Sequence, residues 1–157
     1  MTIDLIVVGK TDLGAVDSLI ELYLKRINRY VKFSVITLPD LRAAKNLSQA
    51  EQKKREGESI LKNIGPGDYI VLLDDKGSQH SSTEFASWLQ KRMASGTKRL
   101  VFVIGGPYGF SQEVYARADE RLSLSRMTFS HQIVRAIFAE QLYRAFSILN
   151  NEPYHHE

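Results

Sequence analysis

A chain of 157 residues, 43% hydrophobic and 25% charged, is long enough for one domain with a sizeable core and leaves no room for a separate recognition module. A net charge of +3 from 21 basic and 18 acidic residues permits an RNA partner without demanding one. The absence of cysteine excludes disulfides, zinc ribbons and thiol catalysis, and fits a reducing cytoplasm.

The chain opens with an acid at Asp4 and a short apolar run before Gly9, so residues 3–8 read as a first β-strand rather than a signal peptide or membrane span. Residues 13–30 follow as a helix with apolar positions at Leu19, Leu22 and Ile27. Residues 33–38 form a second strand by their β-branched content. Ser48-Gln49-Ala50-Glu51 is a capping-box pattern that opens a helix to about Ile64. Gly65-Pro66-Gly67-Asp68 ends it, and residues 69–73 give a third strand. Ser81-Ser82-Thr83-Glu84 repeats the cap before Phe85, Trp88 and Leu89. Gly96-Thr97 ends that helix, where glycine adopts conformations other residues resist. A fourth strand at 100–104 and a weaker fifth at 122–124 precede a last helix over 132–149, with Val134, Phe138, Leu142 and Phe146 on one stripe. The alternation of strand and helix predicts an α/β domain, a mainly parallel sheet with helices on both faces. The polar tail from Asn150 to Glu157 would by itself be expected to fray.

Several patterns invite chemistry. Gly9-Lys10-Thr11 after a strand looks like the end of a phosphate-binding loop, but the required glycine five positions earlier is Asp4, whose charge would repel phosphate. Gly105-Gly106-Pro107-Tyr108-Gly109 is a tight turn at a strand end whose bare backbone lets a flat ligand approach, although a plain strand-to-helix turn explains it equally well. Its glycine order is not the dinucleotide fingerprint. A second loop, residues 122–131, also follows a strand, and such loops are where parallel α/β proteins bind ligands. His80, His131, His155 and His156 show no metal-ligand spacing, so no metal is expected.

Taken in order, Gly105-Gly106-Pro107-Tyr108-Gly109, Leu122-Ser123-Leu124-Ser125-Arg126-Met127-Thr128-Phe129-Ser130-His131, Val134-Arg135, Glu140-Gln141-Leu142-Tyr143-Arg144-Ala145 and Pro153-Tyr154-His155 resemble the RlmH family of SPOUT methyltransferases across the whole chain. The resemblance implies one SPOUT domain over 1–157 with a C-terminal deep trefoil knot, a topology that connection rules alone would disfavour. It implies S-adenosylmethionine as methyl donor, with Leu73, Gly105, Leu124, Ser125, Arg126, Met127, Thr128 and Phe129 around it. It further implies N3 methylation of a pseudouridine in helix 69 of 23S rRNA, on assembled ribosomes, by a cytoplasmic homodimer that does not contact membrane. His155 is then expected to handle the proton, Tyr154 to stack on or hydrogen-bond the base, and Arg135 to hold a phosphate or the developing imide anion. His156 stands where the family often has arginine or lysine. Two rivals remain at this point: a ribosome-associated RNA-binding protein without catalysis, and a SPOUT enzyme acting on tRNA or on a ribose oxygen.

Overall fold

A computed structural model describes residues 1–41 and 46–157. Over these residues the strands β1 (Thr2–Val8), β2 (Lys32–Leu38), β3 (Tyr69–Gln79), β4 (Arg99–Ile104) and β5 (Glu120–Ser123) alternate with the helices α1 (Gly14–Ile27), α2 (Gln49–Lys62), α3 (Ser82–Ala94), α4 (Gln112–Arg117) and α5 (Ile133–Leu149). The strands lie in the order β2-β1-β4-β3-β5, and each neighbouring pair is parallel. This is the expected α/β arrangement.

Period-two alternation sorts the strand residues onto two faces. Ile3, Leu5, Val7, Val71, Leu100 and Phe102 pack with Phe85 and Leu89 of α3 and with Phe138, Leu142 and Phe146 of α5. Ile6, Ile70, Leu72, Val101 and Val103 pack against Ile60 of α2 and Val114 of α4. Because both faces are covered, the middles of the central strands are continuous apolar runs, residues 5–8, 70–73 and 100–104, which is why they were legible. Phe102 and Phe138, both fully buried, meet with ring centroids 4.6 Å apart. At the opposite end of the sheet from the loops discussed below, Arg99 pairs with Asp4 at 2.7 Å and with Asp68 at 2.6 Å. The acid that broke the apolar pattern of β1 therefore has a structural partner.

Element ends follow local chemistry. Ser48 and Ser81 both cap their helices, and at Ser81 the reciprocal bond from its own N–H to Glu84 completes the box. Gly96 takes φ +81° after α3, as expected, whereas Gly65 and Gly67 need no left-handed backbone. Their turn is fixed instead by the Gly65 N–H donating to Asp68 Oδ2 at 2.7 Å. The third strand is longer than the sequence suggested. After Leu73 its register with β5 breaks and resumes at Ser78, and Gly77 lies against the Arg121 backbone, where a Cβ would come within 2.6 Å of the carbonyl carbon. The fifth strand starts earlier, at Glu120.

The start of α5 is fastened to the end of β1. Gln132 accepts from the Asp12 N–H at 2.8 Å and donates to the Lys10 carbonyl at 3.0 Å. Arg135, 1% exposed, donates to the carbonyls of Val8, Gly9 and His131 and to the Thr11 hydroxyl, at 2.8 to 3.0 Å. The Gly9-Lys10-Thr11 turn is thus a mooring for the last helix. The tail is pinned as well: Tyr30 donates to Glu152 at 2.6 Å, and Tyr154 donates to Glu140 at 3.0 Å.

Candidate active site

Strands β3, β4 and β5 are parallel neighbours, so the chain segments that leave their carboxyl ends emerge side by side, and the start of α5 closes the group from β1. Between them lies a cavity of about 500 Å³. Of the eight residues expected around a cofactor, Leu73, Gly105, Leu124, Ser125, Met127, Thr128 and Phe129 line it, and Arg126 does not.

Each wall has a local cause. In the glycine turn, Gly109 adopts φ +79° and its N–H donates to the Gly106 carbonyl at 3.2 Å, which closes the turn. A Cβ on Gly105 would lie 3.0 Å from the Phe110 ring, itself only 6% exposed, and one on Gly106 would run into the Glu56 carboxyl. At both positions the space that a Cβ would need is already taken by a neighbouring side chain, so glycine is what fits without a shift. On the opposite wall the Ser123 hydroxyl donates to the Ser125 carbonyl at 2.9 Å, and the Ser125 hydroxyl accepts from the Met127 N–H at 2.9 Å. These bonds hold the loop around Arg126 in a tight course, with Met127 largely in solvent.

Sequence reasoning missed several lining residues. Gly106, Phe110, His131 and Val134 lie beside residues that were named, so their position in the same turns was the available signal. Asp74 had the same signal, since it follows the named Leu73, but Tyr115 had none, and the meeting of the two depends on the fold. The Tyr115 hydroxyl donates to Asp74 Oδ2 at 2.7 Å, the Lys76 N–H donates to Asp74 Oδ1 at 3.0 Å, and the Arg121 guanidinium lies 4.2 Å from the Tyr115 ring centre. Burial works against ionisation of Asp74, but the bonds from Lys76, Tyr115 and Asp75 and the charge of Arg121 outweigh it, so its carboxyl sits below the usual range. Burial first, and then the bond to Asp74, push the Tyr115 phenol up to about 12.

The three residues expected to act on the substrate are not at this cavity. Tyr154 and His155 form a separate cluster with Glu140 and Arg144. Arg144 pairs with Glu140 at 2.5 Å, meets His155 Nδ1 at 3.1 Å, and lies over the Tyr154 ring at 4.8 Å. Burial, then bonds with Tyr23 and Glu140, raise the Tyr154 phenol well above its ordinary value. At about 1.5 Å per residue, Arg144 is roughly 15 Å further along α5 than the cavity residue Val134. Arg135 is in neither place. Expected to meet a phosphate or an anion, it is buried with its donors turned to the backbone carbonyls already described.

Among the described residues no group of three or more His, Cys, Asp or Glu could hold a metal ion, and no helix is long and apolar enough to cross a membrane. Compared with known proteins, residues 1–155 match the family described as predicted SPOUT methyltransferase. The chain belongs to the SPOUT methyltransferase family. Among its SPOUT relatives, the ribosomal RNA large subunit methyltransferase H of Christiangramia forsetii is 57% identical over 156 residues, 99% of each chain. Proteins of the same name from Parabacteroides distasonis and Flavobacterium johnsoniae are 57% and 54% identical over 157 residues, the whole of each chain. The RlmH resemblance drawn from the motifs therefore extends over the full length of this SPOUT chain.

Proposed function

We propose that this chain transfers the methyl group of S-adenosylmethionine to N3 of a pseudouridine in helix 69 of 23S rRNA, on assembled ribosomes, as a cytoplasmic homodimer. One observation carries the reading: seven of the eight residues that the RlmH motifs assign to the cofactor line a single cavity at the strand ends. Relatives more than half identical over their whole length, each called a ribosomal RNA large subunit methyltransferase, support the substrate class.

The cavity suits the cofactor. Its volume of about 500 Å³ falls within the range usual for small-molecule sites. The bare backbone at Gly105 accepts a flat ring, Leu73 and Leu124 supply apolar contact, and the loop from Ser125 to Phe129 encloses the rest. When bound, S-adenosylmethionine supplies an electrophilic methyl group on a sulfonium and leaves as a neutral thioether. What remains for the protein is alignment of the nucleophile and management of one proton. The N3 of pseudouridine is a poor nucleophile until its proton leaves. His155 is the acceptor we assign, and Tyr154 the partner of the base. A guanidinium can only donate, so the Nδ1 lone pair is engaged by Arg144 and the ring proton sits on Nε2; His155 takes up the N3 proton when that contact gives way. Beside His155, Arg144 rather than Arg135 is the cation we assign to the imide anion that develops, released for it from its pair with Glu140. Arg135 takes the role of holding α5 to β1.

The proton-handling cluster and the cavity are distinct places within one chain, since neither Tyr154 nor His155 lines the cavity. A second copy resolves this: one copy holds the cofactor and the other lends its tail. Leu13, Leu19 and Leu22 of the α1 region and Ile133 at the start of α5 are 41–52% exposed, an apolar face consistent with such a dimer. The knot belongs to the same reading. Its support is the match of residues 1–155 to the SPOUT family, whose resemblance implied the knot.

The test is methyl transfer from labelled S-adenosylmethionine to intact ribosomes lacking the modification, with the product located by mass spectrometry. A methyl on N3 of the helix 69 pseudouridine is expected. Transfer to tRNA or to a ribose oxygen would overturn the substrate assignment. Failure to bind S-adenosylmethionine at all would favour a non-catalytic RNA-binding protein.

A further inference from the structure

The cavity carries a charged device, Asp74 with Tyr115, to which the methyl-transfer motifs gave no role. Asp74 closes the regular part of β3 beside Leu73 and lines the cavity, as does Tyr115 from α4. Both Asp74 oxygens are held by separate donors, Oδ1 by the Lys76 N–H at 3.0 Å and Oδ2 by the Tyr115 hydroxyl at 2.7 Å. The Lys76 bond is a local turn that an aspartate at a strand end makes for structural reasons. The Tyr115 bond is different, because it comes from a helix distant in sequence and fixes the remaining oxygen. Arg121 in turn braces the Tyr115 ring at 4.2 Å. Of the other ionisable side chains at this cavity, Asp75 and Lys76 are adjacent and opposite in sign, and His131 lies at the start of α5. Arg121 acts on Asp74 from beside the Tyr115 ring but does not line the cavity, so Asp74 is the carboxylate held in a fixed orientation at the cavity itself.

We propose that Asp74, oriented by Tyr115, lets the cavity distinguish its ligand by charge, retaining the cationic methyl donor and releasing the neutral product. The inference rests on the methyl-transfer reading above. S-adenosylmethionine carries a positive sulfonium besides its amino and carboxylate groups, for a net charge of +1. In the transfer the N3 lone pair forms the new N–C bond, the C–S bonding pair returns to sulfur, and the N3 proton goes to the base. S-adenosylhomocysteine is left with no net charge. The same carboxylate that favours the donor thus gains nothing from the product, and chemistry itself weakens the hold on what must leave. A unit charge facing a partly buried carboxylate is worth about three- to tenfold in affinity at the high effective dielectric of a site open to solvent. Asp74 acts here as a specificity-determining residue and Tyr115 as the residue that positions it.

Three ligands of nearly equal shape separate charge from contact: S-adenosylmethionine, S-adenosylhomocysteine, and sinefungin, in which a protonated amine stands where the methylated sulfonium would be. Calorimetric Kd values for each are measured on the wild-type protein, Asp74→Asn and Tyr115→Phe. In Asp74→Asn the preference for the two cations over S-adenosylhomocysteine is expected to shrink by about three- to tenfold, while the Kd of S-adenosylhomocysteine stays within about twofold. That retained affinity shows that the variant is folded. Tyr115→Phe should move the ratio in the same direction by less. Equal weakening of all three ligands would assign Asp74 to an uncharged part of the cofactor and overturn the proposal, as would an unchanged ratio. If the wild-type protein bound none of them, the methyl-transfer reading itself would fall, and this proposal with it.

Discussion

Arg135→Met tests whether the buried guanidinium is a structural clamp. Methionine keeps much of the apolar stem but removes the donors to Val8, Gly9, Thr11 and His131. An unsatisfied buried acceptor costs about 1–3 kcal/mol. The terms do not add, because water and local shifts recover part of the loss. A total of about 3–5 kcal/mol is expected, on the scale of breaking other buried charged networks. With a urea slope of about 2 kcal/mol per M, the unfolding midpoint should fall by about 1.5–2.5 M. The single tryptophan, Trp88, reports the transition, since it packs 5.6 Å from Phe85 and 6.0 Å from Phe102 in the core. Protein concentration is held constant so that association does not enter the comparison. A midpoint shift below about 0.5 M at unchanged slope, accompanied by weaker ribosome binding with a shallower salt dependence, would refute the clamp and restore Arg135 to the RNA.

Gly105→Val should abolish S-adenosylmethionine binding in calorimetry while the fold persists in circular dichroism, because the added Cβ lies 3.0 Å from a buried ring; retained affinity would move the cofactor elsewhere. His155→Ala should lower single-turnover methyl transfer by about 10²- to 10⁴-fold, the usual contribution of a positioned acid or base, and leave the cofactor Kd unchanged. Mixing Gly105→Val with His155→Ala should restore about a quarter of wild-type activity if the tail acts across a two-fold dimer, and none if it acts within its own chain. The Tyr69 phenol is pushed up to about 12 by burial and by its bond to Glu120, so above pH 10 the folded state keeps a proton that the unfolded chain has released. Stability is therefore expected to fall as pH rises from 10 to 12. Tyr69→Phe should flatten that fall by no more than about 1 kcal/mol once solvent screening is allowed for, and a melting series that runs parallel to the wild type over this range would contradict it.

The order of elements was legible because the strands are buried on both faces and the helix caps carry their own chemistry. Residues 100–104 could hardly be anything but a covered strand, and Ser81 with Glu84 announced a helix start. Legibility failed where polar residues continue an element. Asp74 to Gln79 reads as loop, yet the chain stays alongside β5 because Gly77 allows close backbone approach. It failed again where meaning depends on distant partners. Arg135 sits on an amphipathic helix like any surface arginine, and only the neighbouring β1 terminus makes it a core residue. The tail looked ready to fray because nothing in Pro153-Tyr154-His155 reveals that Glu140 and Tyr23 wait for Tyr154. Of the candidate site, the glycine turn and the loop after β5 were already at strand ends in the α/β reading, and the motif resemblance assigned the cofactor to them. The pairing of Asp74 with Tyr115 had no sequence trace, since it joins residues 41 positions apart.

The anchoring of α5 has a consequence for how the molecule is made. The carbonyls of Val8 and Gly9 find their donor in Arg135, more than 120 residues later. While the chain is being synthesised, the first strand can pair with β2, yet its carboxyl end stays solvated until residue 135 has emerged. Long-range closure of this kind slows folding, because loop entropy is lost before the contacts that offset it are formed. A chain truncated before residue 135 should therefore hold a partly formed sheet with an open end, and the docking of α5 should be a slow, late step in folding.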